Sequence, residues 1–96
     1  MKYESNNFQF EAEMPWESAG EGIVRQIMGY NDNLMMVKVK FETGAIGTPH
    51  THPHTQTKIV RPGDGVYMKP GILHGCICLE AGVLIDTFSP MREDFL

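Results

Sequence analysis

The sequence predicts one small all-β domain, spanning residues 1–96. Ten glycines and six prolines among 96 residues predict many tight turns and few long helices. Residues 34–42 alternate strictly between apolar and polar side chains, which is typical of a half-buried strand. The other apolar runs are also only long enough for strands, and the chain is too short for a second core.

The first half of the chain predicts a loop followed by a hairpin. Residues 11–18 are acidic and interrupted by a proline, so we expect a loop held in place by the indole of Trp16. Residues 22–28 and 34–42 predict two strands. Residues 29–33, Gly-Tyr-Asn-Asp-Asn, tolerate the backbone conformations of a turn and therefore predict the hairpin connection.

The second half predicts short strands between glycine and proline turns. Four apolar runs are bounded in this way, at residues 57–60, 66–68, 76–79 and 83–88. Residues 89–96 are long enough for one helical turn. Cys76 and Cys78 share a strand face, and small core side chains are a more common role for such a pair than metal ligands.

The charge and the apolar runs exclude several classes of function. Twelve acidic against eight basic residues argue against a nucleic-acid-binding protein. Residues 1–9 lack the apolar stretch of a signal peptide, so a cytoplasmic protein with reduced cysteines is expected. No run approaches the roughly 18 apolar residues of a membrane span. Neither a nucleic acid nor a membrane is therefore an expected partner.

Four histidines lie between positions 50 and 74. On an extended chain His50 and His52 lie on one face about 6.6 Å apart, so both imidazoles can bind one ion. One such pair is equally compatible with incidental histidines in a surface loop. Gln56 can reach the same ion if the chain turns back, and His74 follows a tight turn. His54 is too far along a straight strand and is expected at the rim of the pocket.

Two segments resemble the two motifs of the cupin superfamily. The first motif is a glycine, five residues, His-x-His and then an acidic or amide ligand, and it is matched by Gly44, His50, His52 and Gln56. The second motif is matched by residues 63–74, Gly-Asp-Gly-Val-Tyr-Met-Lys-Pro-Gly-Ile-Leu-His. This chain has Lys69 where proline is common and Cys78 where asparagine is common.

The resemblance implies a small antiparallel β-barrel of the jelly-roll type with one divalent metal ion inside it. The implied metal ligands are His50, His52, Gln56 and His74. Three imidazoles and an amide are neutral, so the ion keeps its full charge and acts as a strong Lewis acid. The ligand set suits Fe, Mn, Ni, Cu or Zn and does not distinguish among them.

Asp86 lies in the apolar run 83–88, which we expect to form barrel core. A carboxylate there has to be paired, solvated in a cavity, or protonated. The residue types alone slightly favour a salt bridge between Asp86 and Arg92. The alternative is a functional carboxylate in a binding cavity.

The chain end, residues 86–96, resembles that of the pectin-degradation cupins that linearise unsaturated uronates. The aspartate, phenylalanine and arginine that line the substrate site in that family are matched by Asp86, Phe88 and Arg92. The resemblance implies ring opening of a 4,5-unsaturated monouronate released from pectin or alginate. Asp86 would move a proton, Arg92 would bind the sugar carboxylate, and Phe88 would form a flat wall.

Two other functions are compatible with these residues. The same histidines could bind a metal in a dioxygenase, which would consume oxygen, or the chain could be a non-catalytic module that binds a sugar or a metal. Loss of turnover without loss of binding when Asp86 is replaced would indicate an enzyme. Because small cupins with exposed strand edges usually pair, we expect a homodimer.

The two motifs are unusually close together. Only residues 57–62 separate Gln56 from Gly63, where the family normally has a further strand and turn. Either two strands are absent and the barrel is open, or the natural chain has a further hairpin near residues 56–58 that is missing from this sequence. We favour the missing hairpin because an open barrel would expose core side chains. A normal Cα–Cα distance of about 3.8 Å between bonded neighbours at this point would refute it.

Overall fold

Antiparallel strands are the main regular structure of the computed structural model, which describes residues 1–47, 59–68, 70–71 and 74–96. The helical elements in this part of the chain are two short 3-10 helices, Glu11–Glu13 and Glu93–Phe95. The strands are β1 (Glu17–Gly20), β2 (Ile23–Asn31), β3 (Leu34–Phe41), β4 (Ile46–Gly47), β5 (Cys76–Ile77) and β6 (Gly82–Phe88). The predicted all-β class is confirmed. Across the described ranges the strands form a four-stranded sheet, β1-β2-β3-β6, and a two-stranded sheet, β4-β5.

The β2–β3 hairpin is the centre of the larger sheet, and both predicted strands are confirmed. Its turn is shorter than the predicted one because β2 continues to Asn31. The Asn31 side chain closes the turn, its Oδ1 accepting hydrogen bonds from the backbone N–H groups of Asn33 at 2.8 Å and Leu34 at 3.2 Å. The register shifts between Ile27 and Tyr30, where two residues of β2 face one residue of β3, so β2 contains one extra residue as in a β-bulge.

The alternation of β3 places its apolar side chains on one face of the sheet, which we call the inner face. Met35 and Val37 are fully buried there, and Phe41 nearly so. One core cluster contains Met35, Val37 and Met91. The second contains Ile23, Phe41 and Ala45. Each large side chain buried in these clusters contributes about 1.5 to 3 kcal/mol of stability.

The opposite, outer face of the sheet is covered in part by the amino-terminal segment. Gln26 on β2 is fully buried, and its Nε2 donates hydrogen bonds to the carbonyl oxygens of Glu11 at 3.0 Å and Met14 at 3.1 Å. Residues 11–18, predicted as a loop, therefore contain a 3-10 helix and the start of β1. The loop prediction is wrong there because a buried side chain of β2 fixes the segment by contacts distant in sequence.

Trp16 is the aromatic anchor of this segment, as predicted. Its ring lies 4.7 Å from the Lys40 Nζ and 5.7 Å from the Lys38 Nζ. Lys38 also forms an ion pair of 2.6 Å with Glu11. Two cations of β3 thus hold the amino-terminal segment on the outer face through the indole ring and a carboxylate.

β6 pairs with β3 along its whole length, from Met35 opposite Phe88 to Phe41 opposite Gly82. Its other edge has no partner strand among the residues that the structure describes. The exposed fractions of three β6 side chains are 51%, 46% and 56%, for Val83, Leu84 and Ile85 respectively. The prediction that this run forms barrel core is wrong for these three residues, because β6 lies at the edge of the sheet.

Other predicted strands are shorter or absent. Residues 66–68 form no strand, and their apolar side chains are exposed. Residues 59–60 are not in a strand either, and the rest of that predicted run lies outside the described residues. β5 contains two of the four predicted residues. Residues 56–58, on which the missing-hairpin hypothesis depends, also lie outside the described ranges.

The small sheet packs tightly against the larger one at Gly47. A Cβ added there would lie 2.7 Å from the Phe41 ring and 2.8 Å from the Cys76 Sγ, so only glycine fits without displacement. Cys76 is exposed and Cys78 is half-buried against the Ile23 cluster. The prediction of two core thiols is therefore wrong for Cys76, which is exposed at the start of the two-residue β5.

Candidate functional site

Asp86 and Phe88 lie on the inner face of β6. Asp86 is opposite Val37 and Phe88 is opposite Met35, and both of these β3 partners are fully buried. Because residues directly opposite each other in an antiparallel pair point to the same side, both β6 side chains point inward. Each is half-buried. The alternation of β6 therefore places a carboxylate and an aromatic ring two positions apart on the same wall.

The environment of Asp86 favours its protonated form. Burial raises the pKa of its carboxyl above the ordinary value, and the His74 imidazole opposes part of that rise. His74 is exposed at the surface and close enough to Asp86 to act on it electrostatically. The structure thus brings together a predicted metal ligand and the predicted catalytic carboxylate, which are twelve positions apart in the sequence.

Arg92 forms its ion pair with Asp94 rather than with Asp86. Its Nε and Nη2 donate to the two carboxylate oxygens of Asp94 at 2.9 and 2.7 Å. The hydrogen bond with Asp94 raises the pKa of Arg92 further and lowers the pKa of Asp94. The predicted Asp86–Arg92 salt bridge is wrong, because a carboxylate two residues along the chain has the geometry for a two-point contact.

Aromatic rings surround the Arg92 guanidinium. Its central carbon lies 5.3 Å from the centroid of Phe88 and 4.3 Å from that of Phe95. The two rings meet edge to face, with centroids 5.7 Å apart and an interplanar angle of 84°. The predicted site residues Phe88 and Arg92 are thus in contact, and Phe95 is a third member of this cluster.

The sequence analysis missed Phe95 and Arg25. The Arg25 guanidinium lies 3.8 Å from the Phe95 centroid, and its Nε donates to Glu17 at 3.2 Å. Arg25 is opposite Val39 and therefore on the inner face. A charged residue between Ile23 and Ile27 on an apolar face was the available signal for Arg25. Phe95 had none, since it lies in a short polar segment without periodicity.

The other predicted metal ligands, His50, His52 and Gln56, lie outside the described residues, as does His54. Within the described ranges no group of three or more His, Cys, Asp or Glu side chains is arranged to hold a metal ion. The donor chemistry of the four predicted ligands fits a divalent transition metal, since imidazole nitrogen is its commonest protein ligand. His74, beside Asp86, is the one of the four that the structure describes.

Two cavities border the amino-terminal segment. One, of about 260 Å³, is lined by Tyr3, Asp32, Pro90, Met91 and Glu93. The other, of about 440 Å³, lies between the amino-terminal segment and β2. Asp86 lines neither of them, so the candidate site is defined by the inner-face residues and not by these cavities.

In the part of the chain that the structure describes, no helix has the length and apolar character needed to cross a membrane.

Comparison with known proteins gives relatives of similar length. No family model matches the chain. The pectin degradation protein KdgF of Dickeya dadantii (strain 3937) is 45% identical over 102 residues, which cover 88% of this chain and 93% of that protein. Since 88% of this chain is about 84 residues, the relative has about 18 residues within the matched region that this chain lacks.

Two solved structures have closely similar folds. An RmlC-like cupin from Shewanella frigidimarina NCIMB 400 matches with a TM-score of 0.86 and 37% identity, covering 97% of this chain and 98% of that one. KdgF from Halomonas sp. matches with a TM-score of 0.82 and 32% identity, covering 96% of this chain and all of that one. The jelly-roll fold implied by the sequence resemblance is confirmed by these structures.

Proposed function

Because the chain belongs to the KdgF family of cupins, we propose that it is a metal-dependent enzyme that opens the ring of 4,5-unsaturated monouronates from pectin or alginate. One observation carries the proposal. Asp86 is half-buried on the inner face with a raised pKa, two positions from Phe88, whose ring lies beside the Arg92 guanidinium. A proton carrier, a flat wall and a cation for a carboxylate are the groups that such a substrate requires.

Ring opening is an isomerisation, so its atoms balance without a co-reactant. The anomeric hydroxyl loses its proton, the bond from the anomeric carbon to the ring oxygen breaks, and the ring oxygen takes up a proton. Ring opening gives an aldehyde and an enol. The enol becomes a ketone when the double-bond carbon that does not bear the enol oxygen takes up a proton and the enol hydroxyl releases one, which gives a linear keto-aldehyde. Two proton transfers are therefore needed.

Asp86 is the group we assign to these transfers. Burial raises the pKa of the Asp86 carboxyl above that of an exposed aspartate, so its protonated form is more populated and can donate, and its ionised form can take the proton back. The Phe88 ring is two positions away on the same wall and can pack against the sugar. Arg92 stays charged and can donate two parallel hydrogen bonds to the sugar carboxylate.

We infer that a divalent transition metal, one of Fe, Mn, Ni, Cu or Zn, is held by His50, His52, Gln56 and His74. When bound, the ion would polarise a hydroxyl or the ring oxygen of the sugar. The neutral ligand set leaves the charge of the ion uncompensated, and the nearby Asp86 carboxyl is the acidic group of the proposed site.

The test is turnover of 4,5-unsaturated galacturonate, followed by loss of the ultraviolet absorbance of its conjugated double bond and by nuclear magnetic resonance of the product, with metal content measured alongside. Asp86→Asn should lower turnover about a hundredfold or more while binding of saturated galacturonate is kept. Asp64→Asn is the matched control, since Asp64 is exposed and its oxygen accepts one bond from the Arg61 N–H.

Absence of turnover by the metal-loaded unaltered protein would contradict the proposed function. Oxygen uptake would point instead to a dioxygenase. Full activity of Asp86→Asn would remove Asp86 from the mechanism and leave the family assignment intact.

We also propose that the protein is a cytoplasmic homodimer, the dimer being expected from its exposed strand edges. Light scattering coupled to gel filtration measures the oligomeric state, and a monomer at micromolar concentration would contradict it. Fractionation of the producing cells tests the location.

A further inference from the structure

The last turn of the chain contacts the Arg92 guanidinium in two ways. Asp94 accepts hydrogen bonds from its Nε and Nη2 at 2.9 and 2.7 Å. The Phe95 ring lies 4.3 Å from its central carbon. Both contacts come from the 3-10 helix Glu93–Phe95, whose first residue follows Arg92 directly.

These contacts leave one edge of the guanidinium unused by Asp94. A guanidinium has five N–H donors in a planar fork, and Asp94 takes the donors on the Nε and Nη2 edge. The edge formed by Nη1 and the second hydrogen of Nη2 can still donate two parallel bonds, which is the geometry that a carboxylate accepts. The Arg92 side chain is 43% exposed, so a ligand can reach it from solvent.

Phe95 is itself fixed by the sheet. Its ring meets Phe88 of β6 edge to face, and the Arg25 guanidinium of β2 lies 3.8 Å from its centroid. Arg25 is held in turn by the 3.2 Å bond to Glu17 of β1. The position of Phe95, and through it that of Arg92, is therefore set by side chains on three strands.

We propose that Asp94 and Phe95 are positioning residues, which hold the Arg92 guanidinium so that its Nη1–Nη2 edge receives the carboxylate of a sugar acid. The inference rests on the proposed function for the assignment of Arg92 to that carboxylate. A free arginine side chain loses much rotamer freedom when it binds a ligand, whereas a side chain already held in place loses less. The contacts of Asp94 and Phe95 with Arg92 thus strengthen the binding of sugar acids and do not affect the binding of neutral sugars.

The test compares binding of saturated galacturonate and of galactose by the protein as isolated, using titration calorimetry. Asp94→Asn and Phe95→Leu should each weaken galacturonate binding about two- to fivefold and leave galactose binding unchanged. Asp94→Glu should restore part of the loss. Glu21→Gln, an exposed charge in the β1–β2 turn, and Phe8→Leu, an exposed ring, are the matched controls and should change neither affinity.

A second measurement detects positioning directly. The side-chain Nε–H signal of Arg92 in a ¹⁵N–¹H spectrum should be sharp and slow to exchange in the unaltered protein, and should broaden in Asp94→Asn. In kinetics of the metal-loaded enzyme the same variant should raise KM more than it lowers kcat, because the lost contact serves ligand binding.

Tighter galacturonate binding by Asp94→Asn would overturn the proposal, since Asp94 would then compete with the ligand for Arg92. Equal losses for galacturonate and galactose, or no carboxylate-dependent binding by the unaltered protein, would overturn it as well. Selective weakening in a protein that fails to open unsaturated uronates would uphold the positioning roles and contradict the proposed function alone.

Discussion

At the scale of single residues, Asp86 and Arg92 differ in how their charges are compensated. Arg92 has a carboxylate in direct two-point contact and two rings beside it, so it stays cationic at any physiological pH. Asp86 is half-buried on an apolar wall, where burial favours the neutral form and the His74 imidazole only partly opposes it. One group therefore suits a fixed electrostatic contact and the other suits proton exchange.

The close approach at Gly47 predicts a stability effect. Gly47→Ala should destabilise the protein by about 1 to 3 kcal/mol, because the added methyl group overlaps the Phe41 ring and the Cys76 Sγ. Chemical denaturation measures the change. Gly65→Ala is the control, since no atom lies within 4 Å of a Cβ there, and it should change the free energy of unfolding by less than about 1 kcal/mol. Equal effects of the two substitutions would contradict the packing of the small sheet.

Asp32 predicts a pH-dependent contribution to stability. Its carboxylate accepts hydrogen bonds from the backbone N–H groups of Lys2 at 3.1 Å and Tyr3 at 2.6 Å, and the Tyr3 bond in particular lowers its pKa. A lowered folded-state pKa means that the contribution is fully present above the ordinary value of 3.8 and is lost as the pH falls through the folded value.

Asp32→Asn should therefore lower the melting temperature at neutral pH, and the difference from the unaltered protein should shrink in strong acid. Thermal unfolding followed by circular dichroism across this pH range provides the measurement. Glu4→Gln, at a neighbouring exposed carboxylate, is the control for the loss of one negative charge. If the melting temperature of Asp32→Asn were lower by the same amount at every pH, an electrostatic origin of the stability difference would be contradicted.

At the scale of elements, β2 and β3 could be predicted because each has one face against the core and one face turned away from it. The alternation of β3 is the direct consequence of that geometry. The 3-10 helix Glu11–Glu13 and β1 could not be predicted, because their positions depend on a glutamine of β2 and on lysines of β3. Contacts between residues distant in the sequence leave no local pattern.

Gln26 predicts how firmly the amino-terminal segment is held. Gln26→Leu keeps the volume but leaves the Glu11 and Met14 carbonyl oxygens without their donor, so stability should fall by about 1 to 3 kcal/mol. Amide hydrogen exchange should accelerate in residues 11–18 more than in β3. Gln9→Leu, which removes hydrogen bonds to Ser5 and Asn6 rather than to residues 11–18, is the control. Unchanged exchange in residues 11–18 would show that Gln26 does not hold the segment.

At the scale of the whole molecule, the apolar side chains of β6 that were predicted as core lie on the edge strand of the sheet that the described residues form. The matched KdgF relative has about 18 residues in the matched region that this chain lacks. The shorter length of this chain and the lack of a second partner strand for β6 among the described residues are what a missing segment between the two motifs would produce. The missing hairpin itself stays a prediction.

Because β6 has no partner strand on its second side among the described residues, we predict a tendency to self-associate. An exposed apolar edge strand offers unpaired backbone groups to another chain. Ile85 is 56% exposed on the outer side of β6. Ile85→Lys should lower turbidity on heating or concentration without lowering the free energy of unfolding. Leu34→Lys, at a similarly exposed position at the hairpin end of β3, is the control. Equal turbidity of the two variants would show that the β6 edge is not the origin.

The candidate site was predictable from the sequence only in part. Asp86, Phe88 and Arg92 were found by resemblance, and the structure places Asp86 and Phe88 on one inner wall with Arg92 against the Phe88 ring. The ion-pair partner of Arg92 was predicted wrongly. Asp86 and Asp94 are both near Arg92 in the sequence, and only the side-chain geometry distinguishes between them. The roles of His50, His52 and Gln56 stay predictions.

Trp16 is an intrinsic fluorescence probe of this protein. It is the only tryptophan in the chain and lies on the outer face beside Lys38 and Lys40, whereas Asp86 and Phe88 point to the inner face. Its emission wavelength and quenching by iodide therefore report whether the amino-terminal segment is docked, and a sugar acid in the candidate site would not touch the indole. Docking of the segment and occupancy of the site can thus be followed as separate signals in one unlabelled sample.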